Sequence, residues 1–121
     1  MSRAVRPFGL PRTARLRQAN EIQSVFQTGR REERRAFVLL WVPTRGPGRA
    51  GFAVSRQIRG SVRRNRARRR LREAYRALGS ARARSVDAMF IARAWALKVS
   101  LEELRADMAR ALAVTGGSAA T

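Results

Sequence analysis

The period of the apolar positions changes several times along the chain, and each change predicts an element. In Asn20–Arg30 (NEIQSVFQTGR), Ile22, Val25 and Phe26 recur at steps of three and four, one face of a helix. Asn20 is placed to cap it, Gln23 completes a capping box, and Gly29 is suited to stop it. The charged run Arg30–Arg35 reads as solvated. Ala36–Val42 (AFVLLWV) is apolar on both faces, the pattern of a strand covered on each side. Pro43 ends it, and Gly46, Pro47 and Gly48 mark a turn over 44–50. Gly51–Arg56 (GFAVSR) is the next strand, and the short spacing predicts an antiparallel hairpin.

A long helix is predicted over Ser61–Leu78, stopped near Gly79, with Ala67, Leu71, Ala74, Tyr75 and Leu78 as its buried stripe. Asp87–Ala92 (DAMFIA) reads as a third clear strand. Ser100 and Glu103 form a second capping box, opening a last helix whose apolar face is Leu101, Leu104, Met108, Ala111 and Leu112. Residues 1–13, with Pro7, Gly9 and Pro11, read as an irregular basic leader, and 115–121 as a small-residue tail. The expected architecture for 14–114 is one small α+β domain in the order α-β-β-α-β-α. It has a mixed sheet with packed helices and room for an extra short strand.

Charge changes this picture. Twenty-seven Lys and Arg stand against eight Asp and Glu, a formal net charge of +19. With 45% hydrophobic residues the chain can still build a core, so a folded domain that meets a polyanion is expected. Lys98 is the only lysine; arginine suits bidentate phosphate contacts and stacking on bases. There is no Cys and no His, which removes disulfides, Cys/His zinc sites, thiol nucleophiles and histidine bases. Arg3 and Arg6 precede no apolar run of signal-peptide length, and the expected location is the cytoplasm.

The densest charge is Arg63–Arg72 (RRNRARRRLR), seven arginines in ten residues. It coincides with an amphipathic helix. At about 100° per residue, Asn65, Arg68, Arg69, Arg72 and Arg76 share a flank of the buried stripe. Arg63, Arg66 and Arg70 lie on the other side, directed to solvent. Like charges three and four apart cost a few tenths of a kcal/mol per pair in an isolated helix, so such a row is suited to phosphate.

Gly51–Tyr75 (GFAVSRQIRGSVRRNRARRRLREAY) resembles the signature of the bacterial ribonuclease P protein component. Arg64, Asn65 and Arg66 match its Arg-Asn-Arg element. Arg68, Arg69 and Arg72 match the basic positions that follow, and Val54, Ser55 and Arg56 match the strand end before it. Asn20–Arg30, AFVLLW and Asp87–Arg93 resemble the family's first helix, first long strand and last strand.

The resemblance implies a left-handed β–α–β crossover and two RNA-facing surfaces. The first surface is the Arg-Asn-Arg helix with Arg56, Arg64, Asn65, Arg66, Arg68, Arg69 and Arg72, facing ribonuclease P RNA. The second is a cleft for the single-stranded 5′ leader of precursor tRNA, lined by Ile22, Phe26 and Leu40. Phe26 is equally placed to be plain core. Ile22 and Leu40 stand where relatives often carry an aromatic, with Trp41 beside the latter, and Gln57 replaces a second lysine.

Carboxylates in this sequence are scattered, and Glu32–Glu33 and Glu102–Glu103 point to different sides of their elements. Neither a general acid–base pair nor a two-metal site is legible. The implied activity is that of a ribonucleoprotein endoribonuclease in which RNA performs the chemistry. Mg²⁺ is then held mainly by RNA, with no catalytic or metal-binding residue in the protein. The competing readings are a ribosomal-type rRNA-binding module, a DNA-binding protein with its helix in the major groove, and a membrane-surface protein.

Overall fold

The computed structural model describes residues 25–79, 82–83 and 85–115. The predicted cap at Asn20 and Gln23, and Ile22, lie outside them. Residues 25–28 are helical, and the Gly29 N–H donates to the Val25 carbonyl at 2.9 Å. A Cβ on Gly29 would fall 2.2 Å from that carbonyl oxygen, so only glycine fits where the chain leaves the helix.

Four strands follow one another around two long helices: β1 (Arg30–Glu33), β2 (Phe37–Pro43), β3 (Arg49–Val54), α1 (Ser61–Arg76), β4 (Val86–Ala92) and α2 (Leu101–Thr115). A 3₁₀ turn, Ala94–Leu97, precedes α2. Part of the run read as solvated is therefore a strand. Its four charged residues form an edge, and exposed charge there discourages pairing with another chain.

The sheet order is β1-β2-β4-β3, with β1–β2 and β2–β4 antiparallel and β3–β4 parallel. The predicted hairpin between β2 and β3 does not form, because β4 lies between them. The reason lies in composition. VDAMFIA is apolar on both faces and is most stabilised at the centre, where both edges are also paired. Strand β3 carries Arg49 and suits the margin.

One face of the sheet (Phe37, Leu39 and Trp41 of β2, Ala88, Phe90 and Ala92 of β4, Ala50 and Val54 of β3) joins α1 and α2 in the main core. Ala67, Leu71, Ala74, Tyr75 and Leu78 are all buried there, as the stripe predicts. Burial of each large aliphatic side chain contributes about 1.5–3 kcal/mol. Phe37, Phe52, Tyr75 and Phe90 form a connected aromatic group with centroids 5.4–5.9 Å apart. The Tyr75 hydroxyl accepts the Ala83 N–H at 2.9 Å, and burial raises its pKa above 10.0. Ser100 caps α2, its Oγ accepting from the Glu103 N–H at 3.1 Å.

Candidate nucleic-acid interface

Helix α1 lays its apolar stripe on the sheet and turns its arginines outward. Asn65, Arg68, Arg69 and Arg72 line an open depression of about 390 Å³, on the flank the spacing assigns to them. The Asn65 Oδ1 accepts from Arg68 Nη1 at 2.9 Å, one turn along the helix. Arg63, Arg66 and Arg69 are exposed, and Arg68 and Arg72 half-buried. Arg56 is exposed on the β3–α1 connection, next to Ser55, whose Oγ accepts the Gln57 N–H at 3.2 Å.

The helix begins at Gly60, with φ 89°, without a side-chain cap or an acid in its first turn. Its first amides and the positive end of its dipole therefore add to the arginine field. Acids are concentrated elsewhere. Glu33 pairs with Arg31 and Arg93, Arg34 with both Glu32 and Asp107, Arg110 with Asp107, and Arg49 with Asp87. Glu73, the one acid of α1, lies 3.7 Å from Arg76. Among the described residues, Arg63, Arg66, Arg68 and Arg69 form no ion pair. Their field is directed at solvent.

Two arginines of the run do something else. Arg64 turns back onto the β3–α1 connection, its Nη1 donating to the carbonyls of Ser55 and Ile58 at 3.0 Å each and its Nη2 to that of Val54 at 3.3 Å. Arg70 was expected to point to solvent. Instead its Nε donates to the Ala96 carbonyl at 2.7 Å and its Nη2 to the Val99 carbonyl. The carbonyls of the turn before α2 lack helical donors, and a long side chain within reach satisfies them.

The second surface is the other face of the sheet. Val25, Val38, Leu40 and Met89 form a small separate core, with Val42, Ala53 and Ile91 half-buried around it. Phe26 is 49% exposed and Val25 1%, so Val25 anchors the helical residues in this small core while Phe26, its neighbour in the chain, stays open to solvent. Leu40 is 7% exposed and forms the floor rather than a stacking platform. Trp41 belongs to the main core on the opposite face. Val42, Ala53 and Ile91 were not singled out from the sequence, although strand alternation from Leu40 and its register partner Met89 would have found them.

No group of three or more His, Cys, Asp or Glu that could hold a metal ion comes together among the described residues. No described helix is long and apolar enough to cross a membrane.

Comparison with known proteins bears on which polyanion this surface meets. The family model for ribonuclease P matches residues 10–116. A ribonuclease P protein component of Roseiflexus castenholzii is 38% identical over 109 residues, spanning 88% of this chain and 89% of that one. One of Desulfovibrio desulfuricans is 40% identical over a shorter stretch of 75 residues, 60% of this chain and 58% of its own length. The fold is also that of a solved ribonuclease P protein of Staphylococcus aureus, with a TM-score of 0.70 at 22% identity over 86% of this chain and 96% of that one. An arginine-faced helix on a four-stranded mixed sheet, matched along almost its whole length, places the chain in the ribonuclease P protein component family, the protein subunits of a tRNA-processing endoribonuclease.

Proposed function

We propose that α1 docks on ribonuclease P RNA while the opposite sheet face holds the single-stranded 5′ leader of precursor tRNA. The observation that carries the first half is the depression lined by Asn65, Arg68, Arg69 and Arg72. Its guanidinium groups, with Arg56 on the preceding connection and Arg66 on the other side of the helix, are suited to several phosphates. For the leader, Phe26 offers a half-exposed ring at the margin of an apolar face that continues through Val42, Ala53 and Ile91. Unpaired nucleotides bind such surfaces by stacking and apolar contact within a positive field. Leu40 would support this face from below, and Ile22, outside the described residues, is assigned to it by the resemblance alone.

The division of labour follows from side-chain chemistry. Phosphodiester hydrolysis needs converging acid–base groups or metal-holding carboxylates. The described carboxylates are spent on arginines or stand apart. RNA then performs the chemistry and holds most of the Mg²⁺, and the protein supplies charge, orientation and substrate grip, in the bacterial cytoplasm.

The test is reconstitution with a bacterial ribonuclease P RNA at low Mg²⁺, following leader release from labelled precursor tRNA. Cleavage at the mature 5′ end should be stimulated by the protein and absent without the RNA. Cleavage by the protein alone would refute the division of labour; no stimulation would refute the assignment of the two surfaces.

A further inference from the structure

Within one run of arginines the fold separates those that face outward from those that face the backbone. We infer that Arg64 is a positioning residue. It locks the β3–α1 connection through three carbonyls, and so orients the row Asn65, Arg68, Arg69 and Arg72 rather than joining it. This rests on the reading of α1 as the RNA-facing helix.

Strand β3 ends at Val54 and α1 starts at Ser61, so the connection between them must satisfy its own polar groups. Ile58 is buried and anchors the connection. Its N–H donates to the Ser55 carbonyl at 3.1 Å, closing a turn, but the Val54, Ser55 and Ile58 carbonyls also face the start of α1. Arg64 reaches all three. A guanidinium has five N–H donors in one plane. Both Nη1 protons and one Nη2 proton go to backbone here, so the fork is turned away from any phosphate outside.

The same residue fixes the helix by its main chain, its N–H donating to the Gly60 carbonyl at 3.0 Å. Gly60 supplies no capping side chain, and the fork, a donor only, leaves the first amides of α1 free; by fixing the connection it sets the direction in which α1 leaves the sheet. On the other flank Arg70 ties α1 to the Ala96 and Val99 carbonyls. The outward row is thereby held between two anchored arginines of its own run.

Arg64→Lys keeps the charge but loses the planar fork. It should be compared with Arg68→Lys and Arg68→Ala, using full-length protein, ribonuclease P RNA and several salt concentrations. Amide hydrogen exchange of the free protein is followed in parallel. Arg64→Lys should weaken RNA binding by roughly tenfold at an unchanged salt slope. It should also speed exchange at Ile58 and Arg64 before any RNA is added, whereas Arg68→Lys should leave that exchange at the wild-type rate.

Three results overturn the inference. Wild-type RNA affinity of Arg64→Lys would show that the lock does not matter for binding. Weakened binding with unchanged exchange would make Arg64 a direct bidentate ligand. If instead Arg68→Ala leaves both affinity and salt slope untouched, α1 is not the RNA face, and the underlying reading fails with the inference built on it.

Discussion

Arg68 and Arg69 offer the sharpest quantitative test of the RNA-facing surface. Both line the depression on α1, neither is in an ion pair among the described residues, and neither side chain supports the core. The double substitution Arg68→Ala, Arg69→Ala places the best helix former at both positions and relieves like-charge repulsion. The free protein should therefore melt no lower than wild type. Binding should change in a specific way. Each arginine that neutralises a phosphate contributes about 0.9 to the slope of log affinity against log salt on a duplex, and about 0.7 on a single strand. Two such contacts give a slope shallower by roughly 1.4–1.8, so between about 50 and 200 mM salt the variant loses roughly tenfold less affinity than wild type. Equilibrium binding to ribonuclease P RNA over that range measures it. The control is Arg31→Ala with Arg110→Ala, which removes two exposed charges already paired with Glu33 and Asp107. An unchanged slope in the α1 variant, or an equal change in the control, would refute the assignment.

Three further substitutions address the rest of the molecule. Phe26→Ala should leave the fold intact, since the ring is half exposed, and should weaken binding of leader-bearing precursor tRNA by about 1–3 kcal/mol, the usual worth of one stacked base; equal losses for mature tRNA would remove Phe26 from the leader surface. Tyr75→Phe leaves the buried Ala83 N–H without its acceptor and should cost about 1–3 kcal/mol in urea denaturation. Because burial raises the Tyr75 pKa, its contribution is fully present below 10.0 and is lost as pH rises from there through the folded-state value. That alkaline loss should be absent in the phenylalanine variant, and identical pH dependence in the two proteins would contradict it. Asp87→Asn leaves Arg49 beside a neutral partner at a site where the Asp87 side chain is 10% exposed and that of Arg49 29%. The expected cost is roughly 2 kcal/mol, less than for a fully buried pair. A thermal melt superimposable on wild type would show that the pair contributes nothing.

Elements with a strong period were legible from the residues alone. The stripe from Ala67 to Leu78 and the Ser100 cap of α2 stand where spacing puts them, because both are local properties of a helix. Pairing is not local. The sequence places β2 and β3 next to one another along the chain, yet the preference of β4 for the centre is decided by competition among all the strands. The extra short strand the sequence left room for, β1, was not located for a related reason: an edge of four charged residues has no hydrophobic signature, and only the neighbouring β2 makes it a strand. At the site, helical geometry assigned the flank of Asn65, Arg68, Arg69 and Arg72. It could not tell a guanidinium facing water from one facing carbonyls. The acceptors for Arg64 and Arg70 belong to connections whose path depends on the whole fold.

The place of β4 also has a consequence for synthesis. A ribosome releases β2, β3 and the arginine helix before β4, yet neither the β2 side nor the β3 side of the sheet can close without it. During that interval the most basic segment of the chain has its apolar stripe uncovered and its charges uncompensated, close to the rRNA of the ribosome that made it. Insertion of β4 then completes the sheet, and the turn and helix that follow it cover the rest of the stripe and anchor Arg70. A nascent chain arrested before Val86 should therefore be protease-sensitive and promiscuous towards RNA, and one released past Thr115 should be neither.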